Sequence, residues 1–129
     1  MALFTTYLSA LRKVNWNPSK IFPNQLRGVK LVYVMRNRGN NEVAPTKEAL
    51  KRFKSTNDWE GYKKWYMTER LETKEAKDWM NRTAEESLFT DIILICYEKD
   101  PQRCHRTLLA LKIKQLHPEV NYVGDLSTF

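Results

Sequence analysis

At 129 residues the chain has room for one compact domain that buries roughly two-thirds of its unfolded surface, so it needs no disulfide staples. Its composition, 42% hydrophobic and 29% charged, excludes a disordered or low-complexity chain, and no apolar run approaches the ~20 residues of a membrane span. The net charge of +7 comes wholly from the first part: residues 1–54 carry eleven lysines and arginines against only Glu42 and Glu48. That basic part suits nucleic acid, a nucleotide or another anionic ligand, and it equally suits a solvated surface with no ligand. The N-terminal MALFTTYLSALRKV lacks the pattern of a signal peptide, so the cytoplasm is the expected location and no membrane partner is expected. Two cysteines are too few for a secreted disulfide scaffold and form at most one stabilising pair.

In chain order, ALFTTYL at 2–8 is rich in aromatic and β-branched residues and predicts a first strand. Asn15, Asn17, Pro18, Ser19, Pro23 and Asn24 mark 15–27 as a loop. KLVYVM at 30–35 is a continuous apolar run of the kind buried on both faces of a parallel sheet. It ends in the polar loop 36–41. Thr46 caps a short helix whose apolar face holds Ala49, Leu50 and Phe53. Asn57 or Asp58 opens a second, in which Trp59, Tyr62 and Tyr66 recur at helical spacing, with Leu71 near its end. Thr73 caps a third, presenting Ala76, Trp79 and Met80. These aromatics could be imagined as a base-stacking platform, but their spacing favours a packed core.

DIILICY at 91–97 is the strongest strand in the sequence. TLLALKIKQL then predicts a helix to about Leu116, and VNYV at 120–123 a last short strand. Strands alternating with helices predict one three-layer α/β domain over 1–129, its short, mainly parallel sheet flanked by helices. Ligands of such sheets sit beyond the carboxyl ends of the strands, where loops 36–41 and 98–106 both fall.

CYEKDPQRCHR at 96–106 gathers the reactive groups. Asp100 is a good N-cap and Pro101 suits the first helical position, which places Cys104 about one turn inside a helix, followed by His105 and Arg106. A thiol there, beside cations, has its thiolate favoured. Free N–H groups with Arg103 and Arg106 can hold a phosphate or carboxylate. Plainer roles compete: Cys96 as a small core residue, His105 bonding a loop carbonyl, Arg106 as a structural partner of Glu98. No metal is expected, because adjacent helical residues point about 100° apart and only the distant His117 offers a fourth ligand. A phosphatase-type loop is missed, since Gln102 stands where an arginine would follow Cys96, and Cys104 fits no such loop either. No glycine-rich nucleotide motif is present among Gly28, Gly39, Gly61 and Gly124.

ILICYEKDPQRCHRTLLA at 93–110 resembles the hallmark of domain-of-unknown-function family 488, an apolar strand followed by Cys-Tyr/Phe-Glu and then Cys-His-Arg opening a helix. The resemblance extends to TTYLSALRK, VYVMRNRG, APTKEALKRFK and WEGYKKWYMTERL, and is best to small stand-alone archaeal and bacterial members; residues 10–28 match poorly. It implies a cytosolic α/β fold with recurrent positions at Cys96, Glu98, Cys104, His105 and Arg106, joined by Arg36 and Arg38. It implies no reaction and no cofactor.

Together these features predict an anion-binding domain, acting as an enzyme on a phosphorylated or nucleotide-like small molecule. Arg36, Arg38 and Arg106 would hold the anion beside Cys96. Cys104 would be the nucleophile or redox thiol, with Glu98 or His105 as its acid/base partner. One alternative is a non-catalytic nucleic-acid-binding module that uses the basic first 54 residues. Another is a partner-binding subunit in which the cysteine cluster is structural.

Overall fold

Strand β1 (Leu3–Tyr7) follows two residues after the start of the chain, and strand β3 (Ile92–Cys96) lies parallel to it, Leu3 opposite Ile92 and Tyr7 opposite Cys96. The computed structural model describes residues 1–13 and 29–126, so the loop expected at 15–27 lies outside the described residues. With β2 (Lys30–Tyr33) and β4 (Tyr122–Asp125), the two strands form a four-stranded parallel sheet of order β2-β3-β1-β4. The two central strands are buried along their whole length, as continuous apolar runs require. The run at 30–35 was expected to be buried on both faces. Instead it forms an edge strand, so Leu31, Val32 and Tyr33 are only half-buried and full burial begins at Val34 and Met35.

Alternation along the strands divides the core in two. Leu3, Ile92 and Leu94 face a cluster containing Tyr66, Trp79, Met80, Leu109 and Ile113. Phe4, Ile93 and Ile95 face Leu8, Leu11, Met35 and Leu126. The first cluster is supplied by α3 (Trp59–Thr68), α4 (Lys74–Ser87) and α5 (His105–Leu116). The second holds α1 (Leu8–Lys13), which follows β1 without an intervening turn. The fold is therefore a three-layer α/β sandwich.

Local chemistry sets the helix boundaries. The Thr46 hydroxyl accepts from Ala49 N at 3.2 Å and starts α2 (Lys47–Thr56). Asn57, in the left-handed region at φ 55°, closes that helix, and Asp58 at once caps α3 through Gly61 N at 3.0 Å. The two residues between which the sequence left a choice thus have one task each. Thr73 caps α4, and Ala76, Trp79 and Met80 are buried. Tyr62 and Tyr66 of the aromatic series are buried too, while Ala49, Leu50 and Phe53 of α2 are half-buried.

Right-handed crossovers explain the split of helices between faces. From β1 the chain steps over β3 to reach β2, and α1 lies on one face. From β2 to β3 and from β3 to β4 it steps the other way, with α3, α4 and α5 on the opposite face. Adjacent strands β1 and β3 therefore release their chains to opposite sides. Open α/β sheets bind ligands beside such a switch point, which here falls between Tyr7 and Cys96.

The last strand was expected at 120–123 and is found at Tyr122–Asp125. Leu3 pairs with Tyr122 but Phe4 with Gly124, so Val123 forms a bulge and Gly124 takes φ 139°. Glycine reads as a strand terminator in sequence, yet here it carries the bulge and lets the strand run on to Asp125. A Cβ at Gly124 would meet nothing within 4 Å, so Gly124→Ala tests the backbone alone. It is expected to cost about 1–3 kcal/mol in denaturant unfolding, and a neutral result would show that the bulge relaxes freely. Among the described residues, no helix is long and apolar enough to cross a membrane.

Candidate functional site

Each strand delivers one group to the carboxyl edge of the sheet. β1 brings the Tyr7 ring, β2 leads into the Val34 carbonyl, β3 ends on Cys96, and β4 ends on Asp125. The segment from Cys96 to Arg106 closes over them. Asp100 and Pro101 begin a helical turn as expected, with Asp100 Oδ1 accepting from Gln102 N at 3.0 Å, but it is a 3₁₀ turn of only three residues, Pro101–Arg103. Cys104 is not one turn inside a helix. Its backbone is extended (φ −137°, ψ 141°), and α5 starts afresh at His105 with Cys104 as its N-cap residue.

That break brings the sulfurs and the imidazole together. His105 Nε2 lies 2.7 Å from the Val34 carbonyl, which can only accept, so Nε2 carries the proton and the neutral ring presents the lone pair of Nδ1. Nδ1 stands 3.5 Å from Cys96 Sγ and 4.0 Å from Cys104 Sγ. The edge of Tyr66 holds the ring from the side, centroids 5.6 Å apart at 66°. Both cysteines are free thiols, buried as residues, and both contribute to the floor of a cleft.

The two thiols titrate as a pair. Burial opposes ionisation of Cys104, but hydrogen bonds from Cys96 and His105 and the charges of His105 and Arg106 outweigh it and hold this thiol well below the ordinary range. The hydrogen bond to Cys104, and then burial, push Cys96 up. Cys96 lies nearer to Nδ1, and the Arg106 charge favours ionisation at both sulfurs. Burial first, then the Cys104 charge, keeps the phenol of Tyr62 in the cleft wall protonated.

Arg106 is fully buried and already partnered. Nε pairs with Asp125 Oδ2 at 2.8 Å, Nη1 donates to the Glu98 carbonyl, Nη2 donates to Lys99 O at 3.3 Å, and the guanidinium lies 5.9 Å over the Tyr7 ring. Thr5 adds a hydroxyl to the same Asp125 oxygen at 2.8 Å. Arg106 therefore meets Glu98 through a backbone carbonyl; its carboxylate partner is Asp125. Asp125 escaped notice in the sequence, where it falls after an apparent terminator.

The cleft above the thiols, about 410 Å³, is bordered by both loops that follow strands. Arg36 and Glu98 line it from those loops, joined by Arg103 and by Lys54 of α2, so its cations outnumber its one carboxylate. The sequence pointed to Arg103 only as a helper of Arg106 in holding an anion, and did not point to Lys54 at all. Arg38 lies outside the lining, its Nε donating to the Tyr97 hydroxyl at 3.3 Å and its guanidinium 5.8 Å over the Tyr33 ring. A second hollow of about 430 Å³ between α2 and α3 contains neither thiol nor imidazole, so these groups lie in the first.

Residues 21–117 match the profile of DUF488-N3a, described as the active DUF488-N3 subclade. That stretch includes Arg36, Lys54, Cys96, Glu98, Cys104, His105 and Arg106, and leaves Tyr7 and Asp125 outside. No curated protein and no solved structure matches the chain.

Proposed function

The chain belongs to the DUF488-N3a family, and we propose that its cleft binds a small phosphorylated or nucleotide-like anion on which Cys104 acts as nucleophile. The observation that carries this reading is the orientation of His105: with Nε2 tied to Val34 O, Nδ1 faces the thiols as a base. The Cys104 proton passes to Nδ1 and the sulfur lone pair forms a bond to the electrophilic centre of the substrate. The departing group takes the proton from Nδ1 as its own bond breaks. Arg36, Lys54 and Arg103 supply the charge that draws an anion in, while Glu98 at the cleft mouth is a second acid/base group. Arg106 acts here as the anchor of the loop that shapes the cleft.

A thermal-shift screen of inorganic phosphate, sugar phosphates and nucleotides tests the binding step. A ligand at a hundred times its dissociation constant adds about 2.7 kcal/mol, which is roughly 10 °C for a domain of this size. The paired change Arg36→Glu with Arg103→Glu is expected to abolish the shift. If none of these anions moves the transition, the anion reading fails.

One observation favours the alternative of nucleic-acid binding. α2 exposes Lys47, Lys51 and Arg52, with Lys54 at the rim of the cleft. Binding there would fall steeply with salt and weaken when these lysines are replaced, and no binding at low salt would exclude it.

A further inference from the structure

We propose that Cys96, Cys104 and His105 form a site for one zinc ion, held by two thiolates and one imidazole, with its fourth position turned to the cleft. The three donor atoms lie within 4.8 Å of one another, and Nδ1 is 3.5 and 4.0 Å from the two sulfurs. Around a tetrahedral zinc, with Zn–S about 2.3 Å and Zn–N about 2.0 Å, neighbouring ligands are separated by about 3.6 Å (N to S) and about 3.8 Å (S to S). The nitrogen–sulfur separations already match to about half an ångström.

The divergence expected of adjacent residues assumed helical backbone at both Cys104 and His105. Extended backbone at Cys104 removes it, and the two side chains converge on Cys96.

Three further features suit a metal. His105 donates its other nitrogen to the Val34 carbonyl at 2.7 Å, the outer-shell bond that fixes a ligating imidazole in its tautomer and aims Nδ1 inward. The supports are rigid: Cys96 ends a central strand, His105 starts α5, and Tyr66 packs on the ring. The charges also balance, since two thiolates and a neutral imidazole cancel a divalent ion and leave no net charge to bury. Two sulfurs and one nitrogen exclude hard cations such as calcium and magnesium and suit zinc. Three protein ligands with an open fourth position is the arrangement of reactive rather than purely structural zinc sites. The inference rests on donor geometry and not on the nucleophile reading, and it concerns a different state of the same residues. On zinc the Cys104 electron pair is committed to the metal.

The test is a titration of the full chain, reduced and stripped with a chelator, first with cobalt(II) and then with zinc. One equivalent of cobalt is expected to give a thiolate charge-transfer band and tetrahedral visible bands, displaced by one equivalent of zinc. Cys96→Ser and Cys104→Ser should each weaken zinc by at least about a hundredfold, the upper end of what losing even an outer-shell partner costs. Zinc should also protect the wild-type cysteines from a neutral alkylating agent until a chelator is added, a measurement that needs no variant to fold. An octahedral cobalt spectrum without charge transfer overturns the proposal, as does unchanged affinity in both folded serine variants or a failure of zinc to protect. Rapid alkylation of Cys104 in protein that binds no zinc would sink the metal site and leave the nucleophile standing. Tight zinc binding by protein whose metal-free Cys104 is inert would do the reverse.

Discussion

Arg106→Met is expected to lower folding stability by about 3–5 kcal/mol, a large share of the 5–15 kcal/mol typical of a domain. The side chain of Arg106 is wholly inaccessible and that of Asp125 is 9% exposed, so solvent screens the pair little. Removing the guanidinium leaves a buried carboxylate with the Thr5 hydroxyl at 2.8 Å, and strips the Glu98 and Lys99 carbonyls of their Arg106 donors. Asp125→Leu should be comparably damaging, because it strands a buried cation. The double change Arg106→Met with Asp125→Leu is expected to lie closer to wild type than either single change, since it removes both charges together. Denaturant unfolding of the four proteins gives the cycle. A loss below about 1 kcal/mol in both single variants would show that the pair does not anchor the fold. The effect bears on function because the Glu98 and Lys99 carbonyls belong to the loop that carries Glu98 and Arg103 into the cleft.

What was legible in the sequence was legible for local reasons. DIILICY is a continuous apolar run that only a central strand can bury, and Thr46 and Thr73 sit where a hydroxyl satisfies the first free amides of a helix. The reactive segment could be found because its residue types are chemically conspicuous. Its geometry could not, because the helix restart at His105 depends on tertiary burial. Asp100 and Pro101 dictate one turn, but Cys104 and Arg106 must both reach the interior, and extended backbone at Cys104 accomplishes this. Asp125 stands 19 residues from Arg106 on another element, reached through a bulge that a lone glycine does not announce. Whether Lys54 points at solvent or at a thiol-floored cleft depends on where α2 docks, which its own period does not encode.

Relative to a free thiol such as glutathione, Cys104 in metal-free protein is expected to favour iodoacetate over iodoacetamide by roughly tenfold at low salt. The cleft supplies the reason: Arg36, Lys54 and Arg103 against Glu98 alone concentrate an anion above the sulfur, and the gain should fade as salt screens it. Arg36→Glu with Arg103→Glu should erase the preference without making the thiol inert. His105→Gln tests the other half. Its amide can still donate to Val34 O, as Nε2 does now at 2.7 Å, but it cannot take a proton, so alkylation should slow by about a hundredfold or more. Peptide mass analysis then assigns the sulfur. Cys104→Ser should abolish fast labelling and Cys96→Ser should leave it, because Cys104 is the thiol held below the ordinary range and Cys96 the one pushed above it. Fast labelling that survives Cys104→Ser and disappears in Cys96→Ser would transfer the nucleophile to the strand. A rate ratio for the two reagents no different from that of a free thiol would remove the anion cleft while leaving the thiol–imidazole pair, because a base aimed at a sulfur works on either reagent, and only the cleft distinguishes their charge.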